Sequence, residues 1–175
     1  MKWSAACLLL LASHAQAYNA TMKGWMRLRT DGIVRQTTDF SCGPAALSLL
    51  LNTRFSLEIR EIDIISDIIY RAEPGTEAEK LQTGFSLLDL KNAAQRMGFQ
   101  AKGLRYDVNE PLTIDQPMII PLEGEKYSHF VVITAIHNDT AEILDPETGR
   151  KSMPLWRLKS EWKGYALKTE ALIKP

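Results

Sequence analysis

"QTTDFSCGPAALSLLLN", residues 36–52, joins a polar loop to a strongly apolar run and sets Cys42 at the junction. Asp39 and Ser41 are residue types that cap helices, and Pro44 fits a first helical turn, where its missing N–H costs nothing. Ala45 to Leu51 then continues in good helix formers. The stretch predicts a helix that opens on a thiol. A helix N-terminus carries about half a positive charge on its unpaired N–H groups. A thiol attacks as its thiolate, and that field favours the anion. Gly43 is expected to leave room for a substrate beside the sulfur. A free cysteine is also a common packing residue, so the position becomes chemistry only if partners can be found for it.

Toward the N-terminus, "MKWSAACLLLLASHAQAYNA" (residues 1–20) has a positive start at Lys2 and an apolar run from Ala5 to Ala12. Ala15-Gln16-Ala17 follows as a small-x-small cleavage pattern. Residues 1–17 are expected to be a removed export signal, leaving 18–175 as a single domain in the periplasm or secreted. The run falls short of the roughly 20 residues that span a bilayer, so stable membrane insertion is not expected. Of two cysteines and three histidines, Cys7 and His14 leave with the signal, so Cys42, His129 and His137 remain. An unpaired cysteine in an exported protein points to an intermolecular disulfide or to a thiol kept for reactivity. A structural zinc site needs about four Cys or His ligands, and neither metal nor organic cofactor is expected. Lys plus Arg number 21 against 21 Asp plus Glu, with no basic run, which excludes an electrostatic nucleic-acid binder.

The pattern along the chain predicts an α+β fold. A hairpin is expected over 25–36 around Asp31-Gly32, followed by the helix from Cys42. A second helix after Ser56 would carry Ile59, Ile62, Ile65, Ile69 and Tyr70 at helical spacing. Residues 72–84, polar and with a Pro-Gly pair, read as a surface loop. Ser86 caps a third helix over 87–97, stopped by Gly98. Short strands follow over 99–106, 117–123, 129–136, 141–145 and 164–169, with a brief helix over 154–162 before the last. Helices first and an antiparallel sheet afterwards place the helical half on one side of the sheet.

A base for Cys42 must be His129 or His137. His129 opens an apolar strand, next to the core but not within it, whereas His137 lies in "IHNDT", a solvated hairpin tip. His129 is the candidate base. Asp145, ending "AEILD", is the candidate to fix the imidazole tautomer. A strict two-residue turn at Asn138-Asp139 would pair Val132 with Asp145 and put His129 and Asp145 on opposite faces. A bulge or an odd-length loop instead pairs Val131 with Asp145, making His129 its diagonal neighbour about 7–8 Å away at the backbone. The pairing of roles requires the second register. Gln36 could supply a donor to an oxyanion together with the Cys42 N–H.

The spaced Gln36, "CGPAALSLLL", "GFSLLDLKNAAQRMGFQAKGL", "SHFVVI" and "LDPETG" together resemble the peptidase C39 family of papain-like cysteine peptidases, over about residues 33–165. The resemblance implies Cys42 as nucleophile, His129 as general base and acid, Asp145 as orienting residue and Gln36 as oxyanion donor. It also implies a helical half carrying the Cys, a β half carrying the His and Asp, and a cleft between them. Members that cut double-glycine leaders are fused to transporter regions and work in the cytoplasm. With its expected export signal, this chain is expected to be similar instead to stand-alone periplasmic members, so leader specificity is not carried over. The expected partner is a peptide or protein substrate, by association a secreted subunit of a secretion or surface-fibre system. Two alternatives use the same cleft: an acyltransferase with an amine acceptor, and a peptide-binding module that does not cut.

Overall fold

The computed structural model describes residue 24 and residues 27–124 and 128–171; the expected export signal lies outside them. Among the described residues, those up to Gly32 belong to one unit and those from Ile33 onward to another. In the first unit, residues 27–30 are helical. The Asp31 N–H closes on the Arg27 carbonyl at 2.8 Å, and Gly32 has φ +69°. The expected hairpin over 25–36 is therefore absent among the described residues. Asp-Gly favours the left-handed conformation that both hairpin turns and helix ends use, and here it ends a helix.

The second unit begins with four helices: α1 (Cys42–Phe55), α2 (Glu61–Tyr70), α3 (Glu77–Thr83) and α4 (Leu87–Arg96). Every residue of α1 from Cys42 to Leu51 is buried. Apart from Ser48, residues 42–51 present no polar face, and such a segment is stable only when surrounded. α4 has a reciprocal capping box, Ser86 Oγ accepting from the Asp89 N–H at 3.1 Å and Asp89 Oδ2 from the Ser86 N–H at 2.9 Å. Segment 72–84 departs from the loop expectation by forming α3. None of its helical residues is buried, so no apolar period marked it. Lys80 Nζ ties it to Asp89 on α4 at 2.9 Å. On α2, Ile64 and Ile68 form the buried face, while Ile62 and Tyr70 are exposed.

Six strands follow: β1 (Phe99–Arg105), β2 (Met118–Glu123), β3 (Ser128–His137), β4 (Thr140–Asp145), β5 (Gly149–Pro154) and β6 (Tyr165–Ala171), with α5 (Leu155–Glu161) before the last. They form one sheet in the order β1-β6-β2-β3-β4-β5, antiparallel throughout. β2 to β5 meander outward, and α5 carries the chain back so that β6 inserts between β1 and β2. β5, "GRKSMP", was not anticipated. It carries two basic residues and a proline, the composition of an edge strand rather than of an apolar core strand.

The sheet is apolar on both faces. Ile119, Phe130, Val132, Leu144 and Leu167 pack with α1, α2 and α4. Ile120, Val131, Ile133 and Ile143 pack on the other side against Leu158 of α5 and Trp162. Two-sided burial explains why β2 and β3 contain unbroken apolar runs in place of alternation. The helical half accordingly covers one face, as expected, while α5 and Trp162 cover the other.

Candidate active site

The β3–β4 hairpin sets the site. Asn138 and Asp139 both have positive φ, +45° and +61°, as a two-residue type I′ turn demands. His137 pairs with Thr140, and Ala135 with Glu142. The register then shifts between Ile133 and Ala135, so that Ile133 pairs with Ile143 and Val132 with Leu144. Thr134 is the extra residue, its hydroxyl donating to the Glu142 carbonyl at 3.2 Å. Continuing the shifted register puts Val131 opposite Asp145 and makes His129 its diagonal neighbour on one face. His129 Nε2 and Asp145 Oδ1 meet at 2.9 Å.

Cys42 opens α1, whose first turns pack against this strand. A Cβ added at Gly43 would come 3.3 Å from the Phe130 ring and 3.4 Å from Leu90. The glycine thus seats the helix start against β3 and α4. The expected space for a substrate at Gly43 is filled by those two side chains. Cys42 is close enough to His129 to act on the proton affinity of the imidazole. With Nε2 engaged by Asp145, Nδ1 is the nitrogen left for the thiol. His137, by contrast, is exposed beside the hairpin turn.

Burial of the imidazole pulls its pKa down, but the Asp145 hydrogen bond, then the contact with Cys42, outweigh it, and the His129 pKa is raised to about 9. The imidazolium is therefore the favoured form at neutral pH. Asp145 is 1 % exposed. Its burial alone would push the carboxyl up, yet hydrogen bonds from His129 and Lys151 and their charges hold it well below the usual carboxylate range. The Glu147 and Thr148 N–H groups donate to Oδ1 at 2.8 and 3.2 Å, and Lys151 Nζ donates to Oδ2 at 2.6 Å. His129, Asp145 and Glu147 present possible metal-ligand atoms within 4.8 Å of one another. The Lys151 ammonium already beside Asp145 opposes a second cation there.

The loop ahead of the thiol is held from both sides. The Gln36 N–H donates to the Pro146 carbonyl at 3.1 Å, and the Thr37 N–H to Glu61 Oε1 at 3.0 Å. Ser41 was an expected cap, but its hydroxyl turns back to Thr38, accepting from its N–H and donating to its carbonyl, both at 3.0 Å. No side chain caps α1. Gln36 Nε2 donates to the Thr38 carbonyl at 3.1 Å, and its Oε1 is buried without a hydrogen-bond partner. Gln36 therefore joins the group through its main chain, and one Nε2 hydrogen stays uncommitted.

A cleft of about 630 Å³ opens at the His129–Asp145 pair, lined by Leu122, Gly124, Lys151 and Arg157 among others. Lys151 and Glu61 were not singled out from the sequence. Lys151 sits on the unanticipated strand, and Glu61 reads as an ordinary acidic first-turn residue of a helix. No helix among the described residues is long and apolar enough to cross a membrane.

Residues 30–171 match the sequence profile of the Peptidase C39 family. A "Probable functional amyloid protease FapD" of Pseudomonas aeruginosa is 33% identical over 132 residues, 75% of this chain and 57% of that protein. The protein of the same name from Pseudomonas fluorescens is 30% identical over 155 residues, 84% of this chain and 67% of its own. A double glycine motif protease from an AMS/PCAT transporter, solved in complex with the leader peptide, shares the fold. Its TM-score is 0.65 at 23% identity, covering 80% of this chain and 91% of that one. The chain belongs to the peptidase C39 family, whose members are papain-like cysteine peptidases.

Proposed function

We propose that this chain is an exported cysteine peptidase that cuts a peptide or protein substrate through an acyl-enzyme. Cys42 Sγ attacks the scissile carbonyl carbon, forming the S–C bond as the carbonyl oxygen takes the charge. The Cys42 N–H and the Gln36 amide stabilise that oxygen. Collapse breaks the C–N bond, and His129 gives its proton to the departing amine. Water then attacks the thioester, with His129 taking its proton; the new acid leaves and the thiol is restored. Asp145 holds the imidazole in the tautomer that serves both steps.

The observation that carries the reading is the His129 Nε2–Asp145 Oδ1 contact at 2.9 Å beside the thiol. The export pattern of residues 1–17 supports a periplasmic or secreted setting. The names of the Pseudomonas relatives support a substrate connected with functional amyloid, and so an accessory role in fibre assembly or secretion. Iodoacetamide is expected to alkylate Cys42 in the folded protein well below pH 8, with His129→Ala slowing the reaction sharply. A rate that follows an ordinary thiol and ignores His129→Ala would sink the proposal.

A further inference from the structure

Asp145 has two diagonal neighbours on its face of the sheet. His129 on β3 is one. On β5, Gly149 pairs with Asp145 and Lys151 pairs with Ile143, which places Lys151 diagonally on the other side. The two side chains converge on one carboxylate, His129 Nε2 on Oδ1 at 2.9 Å and Lys151 Nζ on Oδ2 at 2.6 Å. Oδ1 is also held by the Glu147 and Thr148 N–H groups at 2.8 and 3.2 Å, and Lys151 Nζ takes the other oxygen, so each end of the carboxylate is held.

Charge points the same way. In the ion-pair form the thiolate, imidazolium and buried carboxylate sum to one negative charge, and the ammonium brings the group to neutrality. Uncompensated charge in such a site is expensive. The other charged residues lining the same cleft are Glu123, Glu147, Arg157 and Glu161. Arg157 pairs with Glu161 at 2.6 Å and Lys163 with Glu123 at 3.2 Å, which leaves Lys151 as the cation directed at Asp145.

We propose that Lys151 is a positioning residue, whose ammonium holds Oδ2 of Asp145 while His129 and the main chain hold Oδ1, so fixing the carboxylate's orientation and its charge. The inference rests on the Cys42–His129–Asp145 reading above. It predicts that Lys151 acts on the thiol through Asp145 and touches no substrate.

The test is the pH profile of Cys42 alkylation by iodoacetamide in the full chain, with melting curves to confirm folding. Lys151→Met is expected to move the acid limb to higher pH and slow the reaction about tenfold near neutrality, the factor that a displacement of about one pH unit gives. Lys151→Arg, keeping a cationic donor, should restore most of it. In an Asp145→Asn background Lys151→Met should add nothing, because the residue it acts through is gone. A wild-type profile in Lys151→Met, or an equal shift with and without Asp145, would overturn the proposal. Lys151→Gln serves as the second variant if Lys151→Met does not fold. A wild-type profile that itself ignores His129→Ala would defeat the parent reading instead, so the two failures are distinguishable.

Discussion

The main-chain N–H of Gln36 donates to the carbonyl of Pro146 at 3.1 Å, so the residue six places before the thiol is bonded to the residue immediately after Asp145. The helical half and the sheet half are thereby joined at the site itself. A displacement of either loop would move Gln36, the proposed oxyanion donor, and Asp145, the proposed orienting residue, together.

If the Gln36 side chain supplies a donor to the oxyanion, Gln36→Ala should lower kcat about 100–1,000-fold. Alkylation of Cys42 by iodoacetamide creates no oxyanion and should keep its wild-type rate. Equal losses in both assays would mean that Gln36 only holds the loop.

Asp145→Asn removes a charge and an acceptor from the imidazolium, whose pKa is raised to about 9. In the wild type, the alkaline limb of kcat/KM on a cleaved peptide should fall near that pH, as the proton owed to the leaving amine is lost. The variant should show a limb displaced to lower pH and a kcat reduced by up to about 10⁴. An unmoved limb would remove Asp145 from the mechanism.

The same two groups make stability depend on pH at both ends. A raised His129 pKa contributes stability that is complete below its ordinary value of 6.5 and is lost as pH rises from there through about 9. A depressed Asp145 pKa contributes stability present above its ordinary value of 3.8 and lost as pH falls below it. Melting temperatures should thus decline on both sides, and His129→Asn should flatten the alkaline arm. Parallel curves for the two proteins above pH 6.5 would refute the linkage.

Glu61, 5 % exposed at the start of α2, accepts the Thr37 N–H at 3.0 Å. Its loss leaves a donor unpaired beside Gln36, so Glu61→Ala should cost about 1.5–3 kcal/mol in urea unfolding. Glu61→Gln, which keeps an acceptor oxygen, should recover much of that. Equal losses for the two would show that the hydrogen bond is not what Glu61 contributes.

Local chemistry in the chain was enough to place the helix start at Cys42, the cap at Ser86, the stop at Gly98 and an apolar strand with His129 at its mouth. Each of these depends on residues within a few positions of one another. It was also enough to state that His129 and Asp145 could meet only if the β3–β4 register slipped by one residue. Neither α3 nor β5 was legible: α3 has no buried residue, and the inward face of β5 is Gly149, Lys151 and Met153, a single large apolar side chain, so neither leaves an apolar period to read, and with β5 went Lys151.

What the sequence by itself determined is the inventory and its local settings: a thiol at a helix start, a histidine beside the core, and an aspartate before a turn. Only the tertiary structure decided that they converge, since convergence depends on a single bulged residue, Thr134, and on Phe130 and Leu90 closing over Gly43. One residue more or less in a strand turns every side chain beyond it to the other face, and no local propensity fixes that count.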